Sequence, residues 1–372
     1  MQEADIIVVG VGAMGSSALY HLSKSGANII GLERFKPGHD RGSSHGECRM
    51  IRKAYFEHPN YIPLLNRAYE LWDDLNSQVP QPLFHRTGLI IYGPPESPLI
   101  EGIDQAASEH DLPIEKINAA GGQDRFPHLR VPAGMTGRYE ADGGYLEVEN
   151  TIRAYAELAE ENGVTLINNC ELLDWKTIKD KVQLETSQGT FQAKKMIVAG
   201  GAWNAGILKL PKIPFKVHRV MQFWFASNSD YTAQNGFPSF AFYLPEGFYY
   251  GFPGLNNVIK VAQHAPGAFM EDPDQLNPMP LPEEVAAIKK AVKTLLPDLP
   301  STPVRHSACM YTMTPDQHFL IDHHPETDNI IIAGGFSGHG FKFSPVIGEI
   351  LSELSLTGQT RHSIDFLRWR WS

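Results

Sequence analysis

The sequence predicts an α/β fold of two lobes, in which a Rossmann-like nucleotide-binding domain is interleaved with an α+β lobe built mainly on an antiparallel sheet. Three observations support this prediction. The chain of 372 residues is longer than one hydrophobic core usually supports. A β-branched strand near the N-terminus runs directly into a glycine-rich turn and a helix. Similar strands and helices return later, after a long stretch of short strands and turns.

The composition excludes several classes of protein. A net charge of -10 argues against a nucleic-acid partner, because phosphate binding needs a surplus of Lys and Arg. The apolar runs are far shorter than the roughly 20 residues that span a bilayer, so no membrane partner is expected. Cys48, Cys170 and Cys309 are widely separated, which gives neither a metal knuckle nor a disulfide framework. This cysteine usage predicts a protein of the reducing cytoplasm that holds no metal. The N-terminus shows no basic leader and the C-terminus no peroxisomal signal, which agrees with that expectation.

The N-terminal glycine motif is the strongest local signal. Asp5–Val9 reads as a buried parallel strand, and Gly10, Gly12 and Gly15 follow it at GxGxxG spacing. These glycines permit the tight turn, the approach of a pyrophosphate and the close packing of helix on strand. A second strand ends on Glu33, which is suited to accept hydrogen bonds from an adenosine ribose. A plain tight turn is the alternative, and the acid argues against the 2′-phosphate of NADP.

A second candidate site is the loop over residues 40–52, which is dense in small residues and cations. Its potential ligand contacts are Ser43, Ser44, His45, Arg49 and Arg52. A solvated surface turn is the usual fate of such a run. The Gly-Ser-Ser-His core favours close contact with a ligand instead, and Arg fits a carboxylate with two parallel hydrogen bonds. We therefore expect a substrate acid or a cofactor phosphate at this loop.

The middle of the chain predicts the second lobe and a return to the first. Helical periodicity covers residues 60–78, 147–161 and 282–296, and strands are predicted at 164–168, 182–186 and 195–201. The nucleotide-binding domain then consists of residues 1–82, 145–215 and 320–372, and the substrate domain of 83–144 and 216–319. A nucleotide domain made of separate segments is common in flavin enzymes and uncommon in simple nicotinamide dehydrogenases.

Two further residues are ambiguous when taken alone. Lys260 lies inside an apolar strand of an aromatic-rich region, with His264 on the same face, and its ammonium either snorkels to the surface or faces a cavity. Cys309 precedes a glycine-rich run at residues 334–340. It is either a buried core thiol, the commoner fate of free cysteine, or a site of covalent attachment.

Four motifs in order make the chain resemble a known family. They are Gly-Ser-Ser-His-Gly-x-x-Arg-x-Ile-Arg, Tyr-Tyr-Gly-Phe-Pro, Cys-Met-Tyr-Thr and Gly-Gly-Phe-Ser-Gly-His-Gly-Phe-Lys-Phe. The chain resembles, from end to end, the monomeric sarcosine oxidase and N-methyltryptophan oxidase family, which are FAD-dependent amine oxidases of the D-amino-acid-oxidase-like superfamily. The resemblance implies FAD joined to Cys309 through a thioether. It also implies that Arg49 lies over the flavin face near Cys309, that His45 belongs to the flavin environment, and that Lys260 promotes the reaction with oxygen.

The same resemblance assigns the other site residues. Arg52 and Lys342 would grip the substrate carboxylate, and Tyr250, His264 and Tyr311 would line the pocket that positions the amine. The full set expected to contact the cofactor is Gly10, Gly12, Gly15, Glu33, Ser43, Ser44, Arg49, Cys309, Met310, Gly338, His339, Gly340 and Lys342. Cys48, which stands where sarcosine oxidase has Thr, and the divergent segment 240–245 are expected beside the substrate side chain.

The implied reaction is oxidation of an N-methyl or N-alkyl amino acid such as sarcosine. Oxygen is the acceptor, and the products are hydrogen peroxide and an imine that hydrolyses to amine and aldehyde. Pipecolate or a fructosyl amino acid are alternative substrates on the same scaffold. A flavin dehydrogenase with a protein or quinone acceptor is a second reading, and a non-catalytic nucleotide-binding sensor a third. Nothing in the sequence demands a partner chain, so we expect a monomer.

Overall fold

The computed structural model describes residues 1–210 and 213–371. Its helices within those ranges are α1 (Ala13–Ser23), α2 (Tyr61–Gln78), α3 (Pro98–Glu109), α4 (Ala119–Arg125), α5 (Val148–Glu161), α6 (Asn204–Leu208), α7 (Pro282–Leu295) and α8 (Ser344–Thr357). The helices predicted at 60–78, 147–161 and 282–296 are confirmed as α2, α5 and α7.

The first ten strands are β1 (Gln2–Val9), β2 (Ile29–Leu32), β3 (Cys48–Ile51), β4 (Phe84–His85), β5 (Leu89–Gly93), β6 (Ile114–Asn118), β7 (Thr136–Glu140), β8 (Gly144–Glu147), β9 (Thr165–Ile167) and β10 (Leu172–Ile178). The others are β11 (Lys181–Thr186), β12 (Gly189–Val198), β13 (Lys216–Ala226), β14 (Ser239–Leu244), β15 (Gly247–Gly251), β16 (Val258–Gln263), β17 (Phe269–Met270), β18 (Arg305–Met313), β19 (Leu320–His324) and β20 (Thr327–Gly334).

The first sheet is the predicted nucleotide-binding sheet. Its parallel core has the order β9-β2-β1-β12-β20, the β10–β11 hairpin extends it antiparallel beside β12, and β19 closes it antiparallel to β20. The central strand β1 is buried over Ile6–Val9, as its unbroken apolar run predicts. Helix α1 packs between α5 and α8 against one face of this sheet. The doubly covered parallel arrangement confirms the predicted α/β class.

The second sheet is mainly antiparallel, also as predicted. Its order is β17-β13-β16-β15-β14-β5-β7-β6, with β18 beside β13, and the only parallel pair among these described strands joins β14 to β5. Helix α7 covers it and shares a core with aromatic side chains of β13 and β14. The expectation that most rings of this region are core holds for Phe223, Phe225, Phe240 and Phe242, each no more than 3 % exposed.

A small three-stranded sheet joins the lobes. Its order is β3-β8-β4. Strand β3 follows β2 of the first sheet in sequence, and its partner β8 follows β5, β6 and β7 of the second sheet. The first sheet draws its strands from residues 2–32, 165–198 and 320–334, and the second from 89–140 and 216–313. The exact domain bounds given above stay a prediction. No helix in the two described ranges is long and apolar enough to cross a bilayer.

Candidate active site

A cavity of about 460 Å³ connects the two lobes. At one end its wall includes Gly10, Gly12 and Glu33, and at the other Tyr250 and His264. The predicted nucleotide site and the predicted substrate site are therefore two ends of one space. Within the described residues no group of three or more His, Cys, Asp or Glu side chains is arranged to hold a metal ion.

The glycine turn between β1 and α1 forms the floor of the first end. Gly10 has a φ of +89°, a conformation that side chains rarely adopt. A Cβ at Gly15 would collide with the Gly10 carbonyl oxygen, so Gly15 lets the helix pack on the turn. A Cβ at Gly12 would meet no described atom within 4 Å, which leaves its backbone open to the cavity. The three glycines thus play the separate structural roles that their spacing predicts.

Glu33 closes the same end and is almost fully buried, at 3 % exposure. Its carboxylate accepts hydrogen bonds from the backbone N–H of Val11 at 2.7 Å and of Phe35 at 2.9 Å. A carboxylate offers about four lone-pair sites, so two bonds leave capacity for ribose hydroxyls. Its position on the cavity wall fits the adenosine end of a dinucleotide.

The cationic loop lies between the two ends and is folded around Arg49. The Arg49 guanidinium donates to the carbonyl oxygens of Ser43 at 2.9 Å and Cys48 at 3.0 Å. Glu149, at the start of α5, accepts from the backbone N–H of Gly46 at 2.6 Å. These bonds hold Ser43, Ser44 and Arg49 on the cavity wall rather than in solvent. The surface-turn alternative is therefore wrong.

Lys260 is buried, at 3 % exposure, and does not reach solvent. Its ammonium donates to the carbonyl oxygens of Gly46 at 2.7 Å and Cys48 at 2.9 Å, so it shares the Cys48 oxygen with Arg49. Burial, followed by repulsion from Arg49, lowers the pKa of Lys260 to about 7. The snorkelling alternative is wrong, and the lysine lies directly behind the loop.

Several buried polar atoms around this loop have no hydrogen-bond partner among the described residues. They include His45 Nε2, Gln222 Nε2 and Thr312 Oγ1. Burial, with help from Arg49, lowers the pKa of His45 to about 4. Of these three residues only Thr312 lines the cavity. Buried polar groups are normally satisfied, so the unused Thr312 hydroxyl indicates a polar ligand there.

Cys309 is a free, buried thiol in the middle of β18, opposite Val220 of β13. Burial raises the pKa of Cys309, and the positive charges of Arg49 and Lys260 partly oppose that shift. Of the described residues of β18, Met310, Tyr311 and Thr312 line the cavity and Cys309 does not. The covalent flavin bond stays a prediction.

The substrate end contains an unpredicted carboxylate. Arg52 donates to both oxygens of Glu57, at 2.6 and 2.8 Å, and to the Ala54 carbonyl oxygen at 2.8 Å. Burial opposes ionisation of Glu57, but Arg52, His339 and Lys342 together outweigh burial and lower the pKa of Glu57. Arg52 also lies over the rings of Tyr55 and Phe56, at 4.6 and 4.2 Å. The expected carboxylate-binding arginine thus holds a carboxylate of its own chain.

Lys342 is the second buried cation at this end, and its ammonium donates to the His339 carbonyl oxygen at 2.8 Å. Burial, together with repulsion from Arg52, lowers the pKa of Lys342 to about 7. The ring of His339 is fixed by the Tyr55 hydroxyl and by the Gln317 carbonyl oxygen, the latter at 2.9 Å. Gly338, His339 and Gly340 all line the cavity.

An aromatic cluster completes the pocket. His264 Nδ1 lies 3.2 Å from the Tyr311 hydroxyl, and the rings of His264 and Tyr250 are 6.5 Å apart. Burial lowers the pKa of His264 to about 4, so the imidazole is neutral at pH 7. A neutral imidazole can accept or donate a hydrogen bond without repelling the nearby cations.

Two of the predicted substrate contacts, Cys48 and the segment 240–245, do not line the cavity. Cys48 is 1 % exposed and packs in a hydrophobic cluster with Tyr145 and Tyr250, behind the cavity wall. In the segment 240–245, Phe240 and Phe242 belong to the core of the second sheet. Their placement beside the substrate side chain stays a prediction, without support from the cavity wall.

Sequence reasoning missed Glu57, Glu149 and Gln222. Gln222 carried a usable signal, because a glutamine between Met221 and Phe223 in an aromatic strand needs a polar neighbour once buried. Glu57 and Glu149 gave no such signal, since both depend on groups brought near by the fold.

Comparison with known proteins defines the family. Residues 5–354 match the DAO family, whose description is FAD dependent oxidoreductase. The chain belongs to this family. The predictions of an enzyme and of FAD are confirmed, and the DAO-family fold explains one cavity shared between a nucleotide-binding sheet and an antiparallel sheet.

Individual relatives extend over nearly the whole chain. Monomeric sarcosine oxidase of Arthrobacter sp. (strain TE1826) is 40% identical over 370 residues, which cover 98% of this chain and 95% of that protein. N-methyl-L-tryptophan oxidase of Citrobacter koseri is 34% identical and covers 94% of each chain. Among solved structures, NikD, an unusual amino acid oxidase essential for nikkomycin biosynthesis, aligns with a TM-score of 0.88 at 21% identity, covering 99% of this chain and 98% of NikD. That structure supports the fold alone.

Proposed function

We propose that this chain oxidises an N-methyl or other N-alkyl amino acid at a carbon bonded to nitrogen. The products are hydrogen peroxide from oxygen and an imine, which water converts to amine and aldehyde. The observation that carries the proposal is the pocket: two buried cations, Arg52 and Lys342, share it with the neutral pair His264 and Tyr311. This chemistry suits a ligand with one carboxylate and one uncharged amine.

The chain provides a complete cradle for the cofactor. FAD, when bound, accepts a hydride equivalent from the substrate and passes the electrons on. The turn from Gly10 to Gly15 would hold the pyrophosphate at the N-terminus of α1, and Glu33 would hold the ribose. Arg49 and Lys260 would lie near the flavin ring, and their positive charge would favour extra electron density on it. His45, whose pKa is lowered to about 4, would be a neutral neighbour.

Arg52 and Lys342 bind and orient the substrate carboxylate. Because Glu57 occupies the Arg52 guanidinium in this structure, the substrate carboxylate competes with Glu57 for it. The same cations lower the pKa of a substrate ammonium group, since like charges disfavour protonation. The substrate amine is therefore held in its neutral form, and only in that form can a hydride leave the carbon bonded to the nitrogen. His264, itself uncharged, hydrogen-bonds that amine.

Lys260 supplies a positive charge for the reaction with oxygen; with its pKa lowered to about 7, the charge is partly present at neutral pH, and negative charge that develops nearby favours protonation further. Oxygen gains negative charge as it is reduced, and a cation held in a dry site stabilises that charge without reorganisation. Its two carbonyl acceptors keep the ammonium in place. This residue favours an oxidase over a dehydrogenase with another acceptor. The three cysteines are far apart in the sequence and indicate a reducing compartment, so we propose a cytoplasmic protein. Nothing in the sequence requires a partner chain, and we propose a monomer.

A substrate panel tests the proposal. Sarcosine, N-methyltryptophan, pipecolate and fructosylglycine are mixed with the purified protein without oxygen, and bleaching of the flavin absorbance is followed. Air is then admitted and peroxide is measured. We expect at least one N-methyl amino acid to bleach the flavin and to yield peroxide. Bleaching that only a quinone reverses would indicate the dehydrogenase, and no bleaching by any amine would contradict the proposal.

The covalent bond to Cys309 is tested by acid precipitation. We expect the yellow colour to stay with the precipitated wild-type protein and to enter the supernatant in Cys309→Ser. Cys48→Ser is the matched control, because Cys48 is a second buried thiol close to Lys260. Colour in the supernatant of the wild type would defeat the claim.

A further inference from the structure

The short segment 52–57 carries Arg52 and its partner Glu57, yet it lies outside any strand. Strand β3 ends at Ile51, and the backbone N–H groups of Lys53 and Ala54 have no sheet partner. Both donate to Glu140, to Oε1 at 2.7 Å and to Oε2 at 3.1 Å. Glu140 is the last residue of β7 in the second sheet and is 5 % exposed. One buried carboxylate therefore anchors this segment to the other lobe.

The peptide of Ala54 connects Glu140 directly to Arg52. Its N–H donates to Glu140 Oε2, and its carbonyl oxygen accepts from Arg52 Nη1 at 2.8 Å. The orientation of the guanidinium thus depends on a peptide whose own orientation Glu140 fixes. Glu57 holds only the Nη2 atom of the same guanidinium. When a substrate carboxylate replaces Glu57, the Ala54 bond is the contact that keeps Arg52 aimed at it.

A carboxylate is the side chain that this arrangement requires. Two convergent N–H groups need two acceptor oxygens on one side chain, and Glu supplies both. Gln would offer one oxygen and turn its NH₂ group toward the second N–H, which leaves a buried donor unpaired. The Tyr69 hydroxyl, 3.4 Å from Oε1, further fixes the carboxylate.

We propose that Glu140 is a positioning residue for substrate carboxylate binding, acting through the Ala54 peptide on the Arg52 guanidinium. It touches neither substrate nor cofactor. The inference rests on the proposed function, in which Arg52 binds the substrate acid.

Acetate serves as a carboxylate probe that does not react. Its dissociation constant is measured from the change in flavin absorbance on titration. In Glu140→Gln we expect acetate to bind about tenfold more weakly, as for loss of a buried charged hydrogen bond. The KM for the N-methyl amino acid should rise by a similar factor while kcat changes little. Glu349→Gln is the control: Glu349 is also a buried carboxylate, but it pairs with Arg67 on α2, and neither residue lines the cavity.

A double variant separates positioning from general damage. In an Arg52→Met background, Glu140→Gln should weaken acetate binding no further, because its route to the ligand is already cut. An additional loss in that background, an unchanged dissociation constant in Glu140→Gln, or an equal loss in Glu349→Gln would each overturn the proposal. If Glu140→Gln does not fold, Glu140→Asp, which withdraws the carboxylate by one methylene, is held to the same expectations.

Failure of the proposed function gives a different result. If no N-methyl amino acid bleaches the wild-type flavin, the substrate assignment falls while the acetate titrations remain readable. If acetate produces no saturable change in the wild type, the pocket has no carboxylate site, and the role of Glu140 is overturned with it.

Discussion

At the scale of residues, the Cys48 carbonyl oxygen is a point where two cations meet. Arg49 and Lys260 both donate to it, at 3.0 and 2.9 Å. Two positive charges at one oxygen repel each other, and this repulsion adds to burial in lowering the pKa of Lys260. A bound group that gains negative charge would relieve the repulsion. The two cations are therefore already placed to stabilise the negative charge of a reduced cofactor or of reduced oxygen.

Lys260→Met tests this role. We expect reoxidation of the reduced flavin by oxygen to slow by about a hundredfold, because the preorganised charge is lost. Anaerobic reduction by substrate should persist, since Lys260 does not line the substrate pocket. Stopped-flow absorbance measures the two half-reactions separately. Lys290→Met, at an exposed surface lysine paired with Glu246, is the control, and unchanged reoxidation in Lys260→Met would refute the role.

Lys342 predicts a pH dependence of carboxylate binding. Its pKa is lowered to about 7, so its charge is present below pH 7 and is lost as the pH rises above it. A carboxylate binds the charged form, and acetate affinity should therefore be flat below pH 7 and fall above it, by up to about tenfold per pH unit. Titrations from pH 6 to 9 check this. In Lys342→Met binding should be weak and nearly independent of pH; the same slope in both proteins would contradict the assignment.

At the scale of elements, the β1–α1 turn depends on three glycines for three different reasons. Gly10 needs its positive φ, and Gly15 needs the absence of a side chain against the Gly10 carbonyl. Gly12 has a φ of -77°, and a Cβ there would meet no described atom within 4 Å. The protein fold would therefore tolerate a methyl group at this position. Glycine is therefore needed at position 12 only because the cofactor that enters the cavity approaches the backbone there.

Gly15→Ala and Gly12→Ala should therefore differ in the apoprotein. Gly15→Ala must push α1 away from the turn, and we expect it to lower the free energy of unfolding by about 1–3 kcal/mol. Gly12→Ala should leave the thermal midpoint of the apoprotein unchanged while weakening FAD binding. Thermal unfolding and fluorescence titration with FAD measure the two effects. Equal destabilisation by both substitutions would contradict the separate roles.

Elements built from local patterns were predicted well, and those that depend on distant pairing were not. The strands β1 and β2 and the helices α2, α5 and α7 follow from unbroken apolar runs or from helical periodicity. Residues 83–144 gave only short strands and turns in the sequence. Their strand β5 pairs in parallel with β14, which lies far along the chain, and no local pattern encodes that partner.

At the scale of the whole molecule, the two lobes also make contact at the rim of the cavity, beside its nucleotide end. Arg34, which follows Glu33, donates to Asp274 of the second lobe at 2.8 and 3.0 Å. Trp203 Nε1 donates to the same carboxylate at 3.0 Å. Arg34 and Trp203 both line the cavity, so Asp274 ties its rim to the other lobe. The contact is partly exposed, which limits its strength.

Asp274→Asn should accelerate release of FAD when the covalent bond is absent. In a Cys309→Ser background we expect release to be about two- to fivefold faster, the range of a solvent-screened ion pair. The difference should shrink in high salt, which screens the pair in the parent protein. Flavin fluorescence after dilution measures the rate. Asp298→Asn, at an exposed acid away from the cavity, is the control; equal rates in all three proteins would exclude the contact from cofactor retention.

The sequence by itself determined the lobes, the glycine turn, Glu33 and the cationic character of the loop around Arg49. These features are local, because backbone conformation, strand alternation and side-chain charge are set by neighbouring residues. The tertiary structure alone decided that Lys260 lies behind that loop, that Glu57 occupies Arg52 and that Glu140 supports Ala54. Each of these depends on two segments far apart in the chain whose distance is fixed only when the sheets pair and pack. Burial, which neutralises His264 and lowers the pKa of Lys342, likewise exists only in the folded chain.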